Sequence, residues 1–145
     1  MRLKIEWRAA TPADVPFLLS LRKLTMTEHL QRAAMPTDDD AHYQRISANF
    51  EDASIVCDGE VRIGLLKLSR TGGEWHLHQI QILPDRQGHG IGEIILRRVL
   101  DEATHEGAAV SLSVLHGNPA RRLYERLGFA CVTETSRSAE LVWRP

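Results

Sequence analysis

Hydrophobic and polar positions change their spacing several times along the chain, and each change marks a predicted element. Residues 3–8 alternate apolar and polar side chains, which is typical of a half-buried strand. A helix is predicted next, because Thr11 is a capping residue and Asp14 is an acid three positions after it. Apolar side chains at helical spacing then follow in two runs. They predict one helix from Pro12 to about Leu30 and a second, capped by Thr37 or Asp38, through Phe50.

From residue 53 the spacing becomes that of strands. Three strand-like runs are joined by the pairs Asp58-Gly59 and Gly72-Gly73, which favour hairpin turns. A four-residue ladder of apolar side chains then predicts a long helix. The predicted strands are 54–57, 61–69, 75–83, 109–115, 129–135 and 139–143, and the predicted helices are 90–106 and 118–127. This order, without a repeat or a linker, predicts one mixed α/β domain over residues 1–145.

The composition is that of an ordinary globular chain, with 43% hydrophobic and 26% charged residues among 145. A net charge of −1 argues against nucleic acid as a partner. The amino terminus lacks the apolar core of a signal peptide, and no apolar run is long enough for a membrane span. We therefore expect a cytoplasmic protein with no membrane partner. Cys57 and Cys131 are not spaced for a metal or a redox pair, so we expect two buried free thiols and no metal site.

Three closely spaced glycines stand between a predicted strand and a predicted helix, in the stretch from Asp85 to Gly92. Glycine lets a backbone approach a ligand closely, and the first N–H groups of a helix attract an anion. A dinucleotide fingerprint beginning at Gly88 needs a glycine where Glu93 stands. The triphosphate-binding loop needs Gly-Lys followed by Ser or Thr, and the chain has no such tripeptide. The stretch therefore predicts a site for a phosphate carrier of another class.

Two motifs resemble those of one enzyme family. Gln87, Gly90 and Gly92 have a spacing that resembles the pyrophosphate-binding signature of the GCN5-related N-acetyltransferases (GNAT). The stretch 118–129 resembles the family's second motif, in which an asparagine opens a helix that carries a tyrosine and ends in Gly-Phe. Here Asn118 and Tyr124 are one residue closer than in the commoner pattern. The resemblance covers nearly the whole chain and implies a single-domain GNAT-like mixed sheet of order β1-α1-α2-β2-β3-β4-α3-β5-α4-β6-β7.

The resemblance also implies acetyl-CoA as cosubstrate, with parts of the cofactor assigned to parts of the chain. Backbone N–H groups of Gly88 to Glu93 would hold the pyrophosphate, and the strand segment Ile80 to Ile82 would pair with the pantetheine arm. Asn118 would add a contact to the cofactor, and Arg121 or Arg122 would reach a phosphate. Tyr124 would be the general acid for the leaving thiolate. The implied cofactor-binding residues are Ile80, Gln81, Ile82, Gln87, Gly88, His89, Gly90, Ile91, Gly92, Glu93, Asn118, Arg121 and Tyr124.

The resemblance identifies the general base less clearly than it identifies the general acid. Family members often carry a glutamate on the strand before the phosphate loop, whereas this strand carries His76 and His78. His76 is the first candidate and His78 the second, with Glu28, His29 or Glu74 as bases from elsewhere. In this family the first two helices usually select the substrate, which places Glu28 and His29 near the acceptor.

The predicted function is N-acetyl transfer from acetyl-CoA to a primary amine of a small molecule or peptide. No cysteine lies in the motifs, which favours direct attack within a ternary complex over a covalent acyl-enzyme. The alternatives are an acyl-CoA binding or sensing module without turnover and a purely structural partner-binding domain. A homodimer is compatible with each of the three.

Overall fold

The computed structural model describes residues 3–25, 34 and 37–145. The strands are β1 (Ile5–Ala9), β2 (Ala53–Asp58), β3 (Val61–Ser69), β4 (Glu74–Ile82), β5 (Ala109–Leu115), β6 (Ala130–Glu134) and β7 (Ser138–Trp143). The α-helices of the described residues are α1 (Val15–Thr25), α2 (Asp39–Ser47), α3 (Ile91–Glu106) and α4 (Ala120–Arg126). Single 3-10 turns cover Pro12–Asp14, Phe50–Asp52 and Pro84–Arg86.

The strands form one sheet in the order β1-β2-β3-β4-β5-β7-β6. The β4–β5 pair is parallel, and the pairs β1–β2, β2–β3, β5–β7 and β6–β7 are antiparallel. Both the element order and the mixed α/β class confirm the prediction. The chain also divides into two compact units. Strands β3 and β4 are each divided between the two, so that both strands have residues in both units. The first unit contains the residues up to Lys67 together with Gln79–Gly92, and the second contains Leu68–His78 together with Glu93–Pro145.

Helices α1 and α2 pack on β2 and β3 in the first unit. The buried side chains of this core are Leu18 and Leu21 of α1, Ile46 of α2, Ala53 and Ile55 of β2, and Leu65 of β3. The turn into α1 starts as predicted, because the Thr11 backbone N–H donates to Asp14 Oδ2 at 2.9 Å. The same carboxylate is 2% exposed and accepts hydrogen bonds from Arg8 and Arg62, which hold the Asp14 pKa well below its usual range.

A buried lysine lies at the end of α2. Lys67 Nζ donates to the carbonyl oxygens of Arg45, Ile46 and Ala48 at 3.0, 3.2 and 2.8 Å. The carbonyls of the last helical turn lack partners within the helix, so the ammonium group satisfies those of Arg45 and Ile46 and also binds that of Ala48, just after the helix. Burial lowers the pKa of Lys67 to about 8. The helix ends at Ser47 rather than at the predicted Phe50, because Ala48 is extended with ψ of 123° and Asn49 is left-handed with φ of 54°.

The second unit has a sheet with one closely packed face. Trp75 and Leu77 of β4 lie opposite Val110 and Leu112 of β5, and all four are buried. The apolar ladder predicted for α3 is also buried, with Ile95, Val99 and Ala103 each at 0% exposure. The other face of β4 and β5 is less covered.

The predicted burial of both cysteines and the predicted start of α4 need correction, and one prediction lies outside the described residues. Cys131 is exposed rather than buried, because β6 is the last strand of the sheet and all five of its residues are exposed. Cys57 is a half-buried free thiol. Helix α4 begins at Ala120, two residues after the predicted start. The predicted extension of α1 to Leu30 falls outside the described residues.

None of the helices in the described stretches is long and apolar enough to cross a membrane. Nor do those stretches bring together three or more His, Cys, Asp or Glu side chains in a group that could hold a metal ion.

Candidate functional site

The glycine loop, Gln87–Gly92, connects the turn after β4 to helix α3. Gln87 Nε2 donates to the carbonyl oxygen of Ile82 at 3.0 Å, and Arg86 Nη1 donates to Asp58 Oδ2 at 3.0 Å. Gly88 and Gly90 have φ of 81° and 77°, in the left-handed region that favours glycine. The side chain of Gln87 therefore builds the loop, and the two glycines let its backbone turn into the helix.

Helix α3 starts within this loop, at Ile91. The first N–H groups of a helix lack intrahelical partners and carry the positive end of its dipole, so they suit an anion. The Ile91 side chain is 2% exposed and packs in the core, which leaves its backbone for a ligand. His89 and Gly90 are exposed. The loop thus offers backbone donors more than side chains.

Glu93 already has two cationic partners. Its carboxylate accepts a hydrogen bond from Arg97 Nε at 3.0 Å and another from Arg126 Nη2. The hydrogen bonds from Arg97 and then Arg126 lower the pKa of Glu93. Arg126 lies at the end of α4, so the pair links the first turn of α3 to the helix that carries Tyr124. A cofactor contact from Glu93 would accordingly come from its backbone N–H.

The end of β4, which the resemblance assigns to pantetheine, is largely buried. Ile82 is 8% exposed and Gln81 is 6% exposed, while Ile80 is half-buried. The side-chain amide of Gln81 has no hydrogen-bond partner for either its oxygen or its nitrogen in the described part of the chain. A buried amide without partners is unfavourable, and both of its polar atoms are shielded from solvent.

The first base candidate, His76, has a specific partner on the neighbouring strand. His76 and Ser111 are opposite each other in the parallel β4–β5 pair, and Nδ1 of the histidine lies 2.8 Å from Oγ of the serine. Ser111 Oγ also donates to the carbonyl oxygen of Trp75 at 3.4 Å. The ring of His78, the second candidate, contacts the His76 ring at 4.7 Å between centroids and 75° between planes. Sequence reasoning missed Ser111, although a serine in the apolar run 109–115 was a signal for it.

Helix α4 carries the proposed acid in a buried position. Tyr124 is 7% exposed, and its ring meets that of Phe129 at 5.8 Å between centroids. Burial raises the pKa of Tyr124 to about 12, so the phenol keeps its proton at neutral pH. Asn118 Oδ1 accepts a hydrogen bond from the Ala120 backbone N–H at 2.9 Å. Asn118 therefore satisfies one backbone donor at the start of α4.

Arg121 is engaged by two carboxylates in the second unit. It pairs with Glu134 at 3.2 Å and with Glu125 at 3.6 Å. An anionic ligand at this position would have to replace one of them. The two predicted acceptor residues, Glu28 and His29, lie outside the described residues.

Comparison with known proteins agrees with this arrangement of motifs. A profile of the acetyltransferase (GNAT) family matches residues 17–129. A GCN5-like protein acetyltransferase of Mycobacterium tuberculosis is 40% identical over 57 residues, which are 38% of this chain and 28% of that relative. The match thus spans little more than a quarter of the relative's length.

Solved structures of low sequence identity share the fold. An acetyltransferase of Thermus thermophilus has a TM-score of 0.78 at 21% identity and covers 99% of this chain and 98% of its own. The PaiA N-acetyltransferase of Thermoplasma acidophilum, in complex with coenzyme A, has a TM-score of 0.76 at 14% identity and covers 99% and 100%. The family profile spans most of the chain, including the glycine loop and the stretch from Asn118 to Phe129. The chain therefore belongs to the acetyltransferase (GNAT) family.

Proposed function

We propose that this protein transfers an acetyl group from acetyl-CoA to a primary amine of a small molecule or peptide, by direct attack in a ternary complex. One observation carries the proposal: the glycine loop, with two left-handed glycines, leads into the first turn of α3 within a chain of the acetyltransferase family. The similarity to a PaiA N-acetyltransferase in complex with coenzyme A supports the choice of donor.

The donor is held mainly by backbone groups in this proposal. The N–H groups of Gly88 to Glu93 bind the pyrophosphate, because they combine free donors with the positive end of the α3 dipole. The backbone of Ile80 to Ile82 pairs with the pantetheine arm, and Asn118 adds a contact from the start of α4. Arg121 reaches a phosphate only by releasing Glu134, so its contribution is secondary.

The reaction forms a C–N bond and breaks the C–S bond of the thioester. A neutral amine attacks the carbonyl carbon, and a backbone N–H of the 80–82 segment stabilises the oxyanion, an effect of about 3 kcal/mol in other enzymes. His76 takes the proton that the amine nitrogen loses, and Tyr124 supplies the proton that the thiolate gains. No covalent enzyme intermediate is needed.

The raised pKa of Tyr124 refines its part in this scheme. A phenol with a pKa of about 12 is more than three units less acidic than a thiol near 8.5, so complete transfer is uphill by about 5 kcal/mol. A hydrogen bond from Tyr124 to the sulfur, formed as negative charge develops, avoids this cost. We propose that hydrogen bonding comes first and that proton transfer completes as the thiol leaves.

The strand before the phosphate loop carries histidines where family members often carry a glutamate. This difference affects which acceptor amines the protein can deprotonate. Deprotonating a lysine amine at pH 7 costs roughly 4 to 5 kcal/mol, whereas an α-amine near pKa 7.8 costs only about 1 kcal/mol. A histidine base is therefore sufficient to deprotonate an α-amine. We therefore propose an acceptor amine of low pKa, such as an α-amine. Glu28 and His29 are the residues that we propose to bind it.

Two measurements test the proposal. Calorimetry with coenzyme A should show saturable binding, and mixing the protein with acetyl-CoA and a panel of amines should release free thiol at a rate that depends on the amine. Binding without amine-dependent thiol release would indicate an acyl-CoA sensing module rather than an enzyme. No binding of coenzyme A would contradict both.

A further inference from the structure

We infer that Ser111 is a positioning residue for His76: its hydroxyl holds the Nδ1–H of the ring, so that Nε2 keeps its lone pair and serves as the base. The inference rests on the proposed function, since it assumes that His76 accepts the amine proton. Its structural part concerns a hydrogen bond of the free protein and is tested without turnover.

The sheet places these two side chains on its less covered face. In the β4–β5 pair, Trp75 is opposite Val110 and His76 is opposite Ser111. Successive side chains of a strand point to opposite faces, so the buried Trp75 and Val110 share one face while His76 and Ser111 share the other. Both members of the second pair are half-buried. The serine is thus directly beside a histidine that solvent or a ligand can reach.

The proton on Ser111 decides the tautomer of His76. A serine hydroxyl has one proton to donate, and a backbone carbonyl can only accept. Ser111 Oγ lies 3.4 Å from the Trp75 carbonyl oxygen and 2.8 Å from His76 Nδ1. Only one assignment makes both contacts hydrogen bonds: the hydroxyl donates to the carbonyl, and Nδ1–H donates to the hydroxyl, which leaves the lone pair on Nε2.

The hydrogen bond between His76 Nδ1–H and Ser111 is also kept during the reaction. When Nε2 takes a proton from the amine, Nδ1–H still donates to Ser111, so neither side chain has to turn. With the opposite tautomer, the serine hydroxyl would have to rotate away as the ring became charged. The nearly perpendicular contact with the His78 ring further restricts rotation of His76.

Nitrogen-15 NMR of the free protein tests the hydrogen bond directly. The His76 signals are assigned as those that disappear in His76→Gln among the seven histidines. We expect wild-type His76 to be the Nδ1–H tautomer, and Ser111→Ala to shift the population toward Nε2–H. A wild-type Nε2–H tautomer, or an unchanged population in Ser111→Ala, would overturn the inference.

Kinetics distinguish positioning from a merely structural role. General bases contribute 10²- to 10⁴-fold, so loss of orientation in Ser111→Ala should lower kcat about tenfold while KM for acetyl-CoA stays unchanged. Ser111→Thr keeps the hydroxyl and should restore both the tautomer and most of kcat. Ser113→Ala, the same change two residues along the strand at an exposed position, should alter neither.

The outcomes separate this inference from the proposed function. If wild-type protein releases thiol and His76→Gln slows it, but Ser111→Ala leaves kcat and the tautomer as they were, the inference fails and the function stands. If the protein binds no coenzyme A at all, the proposed function fails, and the His76–Ser111 pair then has no catalytic role.

Discussion

The glycine loop and the His76–Ser111 pair show two different ways of building a site. In the loop, the nearby side chains already serve the fold, since Gln87 binds the Ile82 carbonyl and Glu93 binds two arginines. What remains for a ligand is backbone. Where residues 74–77 of β4 pair with residues 109–112 of β5, the backbone is in the sheet, and a half-buried imidazole with a defined partner remains. Substitutions in the loop should therefore change affinity, whereas changes to His76 or Tyr124 should change turnover.

The largest effect is expected at Tyr124, whose role depends on one hydroxyl. Tyr124→Phe keeps the ring and its contact with Phe129 but removes the donor to the thiolate, and should lower kcat about 100-fold. Coenzyme A affinity, measured by calorimetry, should change less than about twofold. The matched control is Tyr43→Phe at the other tyrosine, which is 42% exposed on α2 and should leave kcat unchanged. Equal losses of kcat and affinity in Tyr124→Phe would remove the distinction between the two regions.

The pH dependence of this effect follows from burial. With a pKa of about 12, Tyr124 stays in its acid form up to about pH 11, so the ratio of wild-type to Tyr124→Phe kcat should be constant from pH 7 to about pH 10. Deprotonation would remove the donor and lower the ratio. An alkaline limb with a midpoint near pH 9, present in wild type and absent in the variant, would argue against the buried phenol as donor.

A smaller but still large effect is expected at His76. His76→Gln should lower kcat/KM for the amine about 30-fold at pH 7 because no group receives the amine proton. Part of the loss should return at higher pH, as the amine deprotonates in solution before it binds. His105→Gln, the same substitution at an exposed position near the end of α3, should stay within about twofold of wild type. A similar loss in both variants would mean that the effect does not come from His76 as the base.

The glycine loop should respond in affinity. Gly90→Ala puts a Cβ on a residue with φ of 77°. The left-handed conformation costs a non-glycine residue roughly 1 to 2 kcal/mol, so coenzyme A should bind about tenfold more weakly. At saturating acetyl-CoA, kcat should be unchanged. Gly73→Ala is the control, because that glycine has space around its Cβ position and no positive φ. Unchanged affinity in Gly90→Ala would show that the loop conformation does not limit binding.

Sequence alone was sufficient for features set by nearby residues. The element order follows from local periodicity, and the loop follows from the spacing of Gln87, Gly90 and Gly92. Features set by pairing between distant strands were missed. Ser111 becomes the partner of His76 only through the parallel register of β4 and β5, 35 residues apart in the chain. Cys131 is exposed because β6 ends the sheet, which no local pattern of this strand indicated.

The smallest effect is expected at Glu93, where backbone and side chain can be tested separately. Glu93→Gln keeps the backbone N–H and weakens only the pairs with Arg97 and Arg126, so coenzyme A affinity should change less than about twofold. Glu93→Pro removes the N–H at the third position of α3, which has no partner within the helix, and should weaken binding several-fold. Thermal melts of both variants check that α3 remains folded. If Glu93→Gln lost as much affinity as Glu93→Pro, the carboxylate rather than the backbone would be the group that matters, and the loop would use the same side-chain chemistry as His76 and Tyr124.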